Sequence, residues 1–331
     1  MKVISFCVYG DKDKYCRGLA ENLILIRDIL PDYHCFIYVG DRVPEHWIEL
    51  YKSYPFVRIF FAGRIGHDNA INRFYAIDEP DVEIAFSKDI DARLHERDIW
   101  CIRHFEHSHF SFHTTRDHPY HGIEILAGIW GIKRGCLPIT IAELYREYNP
   151  TGTTINKIQH DQYFLRDKIY PLVASKTIVY VFNEKMRRNN IETIKRIPFD
   201  VVDDNFCGLA ITYDEHGNAI KEYKWDPKWN SPTFAIRVVI TDSGLETDSY
   251  LKLPIISNFF KQIKQLQRPE LNYHIYIDKS KLSNYYEQIK LFLEDALMNA
   301  VIFSEPDFEN NQKKYRYAGV ISLNDIDSIK P

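Results

Sequence analysis

The chain has 331 residues, 45% hydrophobic and 14% aromatic, with a formal net charge of -4. This composition excludes intrinsic disorder and suffices for one large core or two ordinary ones. The slight acidity gives no general drive toward nucleic acid, no apolar stretch reaches bilayer length, and the apolar start is too short for a secretory signal. A cytoplasmic protein without a membrane span, acting on small anions, is the first expectation.

Strand and helix signals alternate from the start: an apolar run at 3–8, a helical period over 19–30, a run at 34–39, a helix over 45–51 and a run at 57–61. A β-α-β-α-β series of this kind builds a parallel sheet with ligands at its carboxyl edge. Gly10 closes the first strand at that edge, which makes Tyr9 either a stacking partner for a nucleotide base or a packing residue. A helix over 69–76 precedes a strand at 82–86, which runs into Lys88-Asp89-Ile90-Asp91-Ala92-Arg93. Period-two geometry aims Asp89 and Asp91 the same way, as a divalent cation holding a diphosphate requires. The competing reading makes Asp91 the N-cap of the helix that follows. The triplet Asp11-Lys12-Asp13 sits in a polar loop and reads as a solvated turn.

Next come a run at 110–114, the polar cluster Arg116-Asp117-His118-Pro119-Tyr120-His121-Gly122, the segment Gly128-Ile129-Trp130-Gly131, a helix over 139–148 and a helix start carrying His160 and Asp161. Beyond Gly208 the texture changes, and 213–218 reads as a hairpin turn. Three segments result: a main domain at 1–208, a connector at 209–232 and a smaller α/β lobe at 233–331. That lobe has runs at 235–240, 273–277 and 300–303 with helices over 255–266 and 282–293, and it echoes the opening down to a second Asp325-Ile326-Asp327. A truncated duplication and the common physics of β-α-β units both account for the echo. The six cysteines lie far apart without a Cys-x-x-Cys spacing and read as reduced core residues.

Five ordered blocks carry a family resemblance: Asn72-Arg73-Phe74, the stretch from Ser87 to Arg97, the stretch from Phe112 to His121, Ala127-Gly128-Ile129-Trp130-Gly131, and Asp161-Gln162-Tyr163-Phe164-Leu165. Together they resemble the GT-A type nucleotide-sugar glycosyltransferases of large DNA viruses and bacterial polysaccharide clusters. Lys88, Ala92 and Ala127 depart from the family's usual Arg, Ser and Gly. The first change keeps a cation but loses a bidentate fork.

The resemblance implies a GT-A, Rossmann-like α/β fold with a mostly parallel sheet, followed by the partial lobe. It further implies a nucleoside-diphosphate sugar donor, UDP-sugar foremost, a glycan or other hydroxyl acceptor, and Mn²⁺ or Mg²⁺ held by Asp91, Asp89 and His160. Tyr9, Arg73, Lys88, Asp89 and Arg93 become donor-binding candidates. Asp161 is the candidate general base, with Asp117 as its rival, and His118, His121, Gly128 and Trp130 are candidates for the acceptor side. Each has a plainer alternative: an ion pair to Glu96 or Asp98 for Arg93, a helix-terminal acid for Asp161, hydrogen-bonded structural roles for the histidines, a core position for Trp130. A nucleotide-sugar binding protein without turnover, its last lobe serving self-association, and a metal-dependent phosphohydrolase or nucleotidyltransferase stay open.

Overall fold

A computed structural model of the chain describes residues 1–153, 155, 157–230, 233–238, 272–277, 290, 300–304, 307–314 and 319–322. They fall into two compact units, 1–194 with 202–225 and 195–201 with 226–331. Among them no helix is long and apolar enough to cross a membrane.

The chain follows the alternation of the sequence through β1 (Lys2–Val8), α1 (Asp13–Ile29), β2 (His34–Val39), α2 (Glu45–Lys52), β3 (Val57–Phe61), a 3-10 run (Gly66–Asp78), β4 (Ile84–Lys88), α3 (Glu96–His107), β5 (Phe112–Arg116), β6 (Ile129–Lys133), α4 (Ile141–Tyr148), α5 (His160–Phe164), α6 (Tyr170–Val173) and β7 (Thr177–Val181), all in the first unit, to β8 (Thr193–Arg196), in which the division at 194 falls. The strands form one sheet in the order β3-β2-β1-β4-β6-β5-β7-β8. β1 pairs in parallel with β2 and β4, β2 with β3, and β5 with β7, while β6 runs antiparallel to both of its neighbours. This is the expected GT-A type, Rossmann-like α/β sheet. Because β6 is reversed, its start meets the carboxyl ends of β4 and β5 at one edge. β1 is buried along nearly its whole length, as a strand covered by helices on both faces must be. In α1 the buried Cys16, Leu19, Ala20, Leu23 and Ile26 follow helical spacing, with Asp13 in the first turn and Arg27 in the last complementing the dipole.

Several elements differ from expectation: α1 starts at Asp13 rather than at 19, β5 runs over Phe112–Arg116 rather than 110–114 and β11 over Thr233–Val238 rather than 235–240, and three further departures have a local cause. β4 starts at Ile84, because the Val82 amide donates to the Glu79 carbonyl in a turn at 3.1 Å. The helix expected over 69–76 is a 3-10 run in which the Arg73 guanidinium and the Asn69 amide donate to the carbonyls of Ala70 and Gly66, both at 3.1 Å. α4 begins at Ile141 because Thr140 and Glu143 form a capping box ahead of it. Thr140→Ala is expected to cost about 1 kcal/mol of stability in a denaturant titration.

A short antiparallel hairpin, β9 (Ile211–Tyr213) with β10 (Ala219–Lys221), occupies the expected turn region, and Gly217 takes φ 78° there. The Asp214 carboxylate closes the turn by accepting from the amides of His216 and Asn218 at 2.9 and 2.8 Å.

In the second unit β11 (Thr233–Val238), β12 (Asn272–Ile277), β13 (Ala300–Ser304) and β14 (Gly319–Ser322) form a parallel sheet in the order β13-β12-β11-β14, with a helix at Phe308–Lys314. It is the partial α/β lobe expected from the sequence. The helices expected over 255–266 and 282–293, and Asp325 and Asp327, lie outside the described residues.

Candidate functional site

A cleft of about 230 Å³ opens at the carboxyl edge of the first sheet, lined among others by Tyr9, Tyr15, His67, Arg73, Lys88, Asp89, Asp91, Lys157, Gln159, His160 and Asp161. Seven of the residues singled out from the sequence therefore meet here: Tyr9, Arg73, Lys88, Asp89, Asp91, His160 and Asp161.

Its centre is the Arg73 guanidinium, buried beneath the carboxylates. One nitrogen, Nη2, donates to Asp89 Oδ1 at 3.0 Å and to Asp161 Oδ2 at 3.1 Å, while Nε donates to Ser87 Oγ at 3.1 Å. Every nitrogen of this guanidinium faces a protein acceptor, so Arg73 holds two carboxylates in place. Gly128 completes the seat of Asp89, since a methyl group there would run into the Asp89 carboxylate. Nearly half of the Asp89 side chain, 46%, faces the cleft. The protein packed around the rest of the group strips it of water and, with Asp91 and Asp161 close by, pushes its carboxyl up to about 6 against the pull of Arg73 and Lys88, even though one side stays open to the cleft. With Asp89 as a metal ligand, protons would compete with the cation for it, and Mn²⁺ affinity is expected to fall by up to about tenfold per pH unit below pH ~6, read by calorimetric titration between pH 5 and 8.

Asp91 stands on a loop clamped from two sides. Asn22 of α1 donates to the Ala92 carbonyl at 2.8 Å, and the Ile211 amide donates to the Asp91 carbonyl at 2.8 Å. α3 begins only at Glu96, with His95 at the N-cap position, so Asp91 does not cap that helix. Its carboxylate lies 3.1 Å from Lys14 Nζ, which also pairs with Glu222.

His160 opens α5 after Gln159, whose left-handed φ of 69° turns the chain into the cleft. His160 Nδ1 lies 3.1 Å from the Lys157 carbonyl, and its buried Nε2 has no hydrogen-bond partner among the described residues. In the neutral ring the proton therefore sits on Nδ1, and Nε2 presents a lone pair. Asp89, Asp91 and His160 line one cleft and offer oxygen and nitrogen donors of the kind that suit Mn²⁺ or Mg²⁺, but they are not drawn together as a closed ligand set: among the described residues the acidic, His and Cys atoms that all lie within 4.8 Å of one another belong to His95, Asp98 and Cys207, outside this lining. The Lys14 ammonium pairs with Asp91 and would compete with a cation there. Lys14→Met is expected to tighten Mn²⁺ binding about fivefold in the absence of nucleotide, read from the electron paramagnetic resonance of free Mn²⁺, and unchanged or weaker binding would refute the competition.

Asp161 is buried and accepts from Arg73 and, at 3.0 Å, from the Gln162 amide. Lys88 borders the cleft, but its buried ammonium lies 2.6 Å from Asp98, whose carboxylate outweighs burial and holds the lysine above its ordinary range. At the mouth, the Tyr9 hydroxyl meets His67 Nδ1 at 3.0 Å.

The other candidates lie outside this lining. Arg93 turns to Glu21 at 2.8 Å and to the Tyr213 hydroxyl at 2.5 Å, neither of them a partner expected from the sequence. Asp117 is fully buried, forked by Arg97 and bonded to the Cys207 amide at 2.9 Å. His121 Nδ1 accepts from the Asp117 amide at 3.0 Å, and burial drives this imidazole down to about 4, hence neutral. His118 is likewise buried and lowered, packed on Phe206 at a ring distance of 4.2 Å. Trp130 is 1% exposed, stacked on Phe112 and edge-on to Phe74. All six cysteines are buried and free, as expected.

Tyr15, His67, Lys157 and Gln159 were not singled out from the sequence. Tyr15 had a signal, since it stands in the first turn of α1 directly after the loop that Gly10 opens. Gln159 had none, because glutamine seldom adopts a left-handed backbone.

No protein-family model and no curated protein matches the chain. Similar solved structures include a glycosyltransferase involved in the glycosylation of the major capsid of PBCV-1, at 14% identity and a TM-score of 0.37 over 55% of this chain and 82% of that one. The galactosyltransferase LgtC, in complex with donor and acceptor sugar analogs, is similar at 12% identity and a TM-score of 0.38 over 54% of this chain and 73% of its own. The glycosyltransferase GlyE of Streptococcus pneumoniae TIGR4 is similar at 11% identity and a TM-score of 0.36, over 97% of this chain and 95% of that chain. All three are glycosyltransferases. At such TM-scores the likeness adds nothing about activity, and the fold rests on the strand order and pairing described above.

Proposed function

We propose that this chain is a metal-dependent glycosyltransferase that moves a sugar from a nucleoside-diphosphate donor, UDP-sugar foremost, to a hydroxyl of a glycan acceptor. One juxtaposition carries the reading: Asp89, Asp91 and the orphaned His160 Nε2 share a cleft at the carboxyl edge of an α/β sheet. Asp91, Asp89 and His160 would hold Mn²⁺ or Mg²⁺, and such an ion would supply positive charge against the charge that grows on the diphosphate as its bond to the sugar breaks.

The chain's own groups supply the rest. Arg73 fixes Asp89 and Asp161 through one nitrogen, so the floor is organised before a donor arrives. Tyr9 and Tyr15 offer ring faces to the base, and Lys157 adds positive charge to the wall that faces the phosphates. Of the two carboxylates considered as general base, Asp161 borders the cleft. In an inverting reaction it would take the proton of the acceptor hydroxyl as that oxygen attacks the anomeric carbon and the diphosphate departs.

The test is product analysis with a panel of UDP-sugars, Mn²⁺ and oligosaccharide acceptors. UDP release that needs the metal is expected. Release of sugar phosphate would mark a phosphohydrolase or nucleotidyltransferase, and tight UDP binding without release a binding protein.

A further inference from the structure

We propose that Tyr120 and Tyr223 form a stacking surface for a pyranose ring of the acceptor glycan, beside the cleft; the assignment rests on the glycosyltransferase reading above. Tyr120 is 75% exposed and Tyr223 48%, and they are the tyrosines among the described residues left largely open to solvent. They are also neighbours, with ring centroids 6.2 Å apart and planes at 69°. An exposed aromatic forgoes the stabilisation of burial, and two such rings set edge to face make a paired open surface, which isolated surface residues do not.

The pair stands on an ordered base. His118 lies 4.9 Å from the Tyr120 ring and 6.3 Å from the Tyr223 ring, and beneath it the buried Phe206 and Trp225 follow at 4.2 and 5.8 Å. The His118 position is itself fixed, since its Nδ1 accepts from the Tyr120 amide at 3.2 Å. Rings so supported lose little conformational entropy when a ligand lies on them. The Arg188 guanidinium reaches the adjoining loop at the His121 carbonyl, 3.5 Å away, and supplies a polar border. Apolar ring faces with hydrogen-bonding groups at their edges match a pyranose, which pairs a C–H face with equatorial hydroxyls. A surface of two rings is far smaller than a protein–protein interface needs.

Its placement connects it to the cleft. The loop bearing Tyr120 leaves the carboxyl end of β5, on the same sheet edge as the end of β4 and Asp89. Tyr223 directly follows Glu222, whose carboxylate pairs with Lys14, and Lys14 in turn reaches Asp91 at 3.1 Å. Tyr223 thus stands one residue and two ion pairs from Asp91 of the cleft.

The experiment is saturation-transfer nuclear magnetic resonance with linear glucose, galactose and mannose trisaccharides as probes, on the wild-type chain and on Tyr120→Ala, Tyr223→Ala and the double variant. Folding of each is verified by its melting temperature, and Tyr→Phe variants serve as conservative controls. Transfer to at least one trisaccharide is expected in the wild type and in the Phe variants. A loss of about five- to tenfold in apparent affinity is expected for each Ala variant. In the turnover assay the acceptor KM should rise while UDP release to water and the donor KM stay put. Absence of transfer in the wild type, or transfer undiminished in the double variant, overturns the proposal. Glycan binding that depends on both rings in a chain that turns over no UDP-sugar upholds the surface and counts against the glycosyltransferase reading alone.

Discussion

Replacing Asp91 by asparagine is expected to lower kcat/KM for sugar transfer by about a thousandfold while leaving the melting temperature close to that of the wild type. The loss corresponds to about 4 kcal/mol, the scale of charge stabilisation by a bound cation at a transition state. Stability should survive because the loop is held through its backbone, by Asn22 at the Ala92 carbonyl and by the Ile211 amide at the Asp91 carbonyl, and asparagine keeps the volume. Asp117→Asn is the contrasting control. That carboxylate is buried under the Arg97 fork, so the neutral side chain takes away the negative charge that faces a buried guanidinium and lowers stability first. A Asp91→Asn protein with full Mn²⁺ binding and full turnover would remove Asp91 from the ligand set.

The second large effect is expected at Gly128. An alanine methyl there enters the space of the Asp89 carboxylate, and the strand beside it has little freedom to yield. β6 is paired with β4 from Lys88↔Ile129 onward, and Trp130 is locked between Phe112 and Phe74. Asp89 must therefore swing away from Arg73. Gly128→Ala is expected to weaken Mn²⁺ binding and to lower turnover by about a hundredfold or more, with a stability loss of about 1–3 kcal/mol from overpacking. Turnover and metal titration measured on the same preparation separate the two effects. Wild-type affinity and rate in Gly128→Ala would show that the Asp89 position carries no function.

The sheet was readable from the chain because its strands are short apolar runs between helical periods, and β2 and β3 occupy the residues their patterns predicted. The floor of the cleft was readable for the same reason, since an apolar strand that ends in acidic residues must deliver them to the carboxyl edge. What pattern did not carry was partner choice. Nothing in the spacing of Arg73 says that one nitrogen serves both Asp89 and Asp161, contacts that join residues 16 and 88 positions apart. Arg93 was read against its helical neighbours, yet its partners, Glu21 and Tyr213, come from α1 and β9. Gly128 and Trp130 look alike as residues bordering a sugar pocket. Their roles divide only when β6 is laid beside β4, where the glycine vacates space for Asp89 and the indole fills the core.

The most direct test is anomalous diffraction at the manganese edge from crystals grown with UDP and MnCl₂. A peak bridging the carboxylates of Asp89 and Asp91, within coordination distance of His160 Nε2 and touching both phosphates, is the predicted result. Bound UDP with no peak at these carboxylates, or manganese seated elsewhere with Lys14 still on Asp91, would contradict the account.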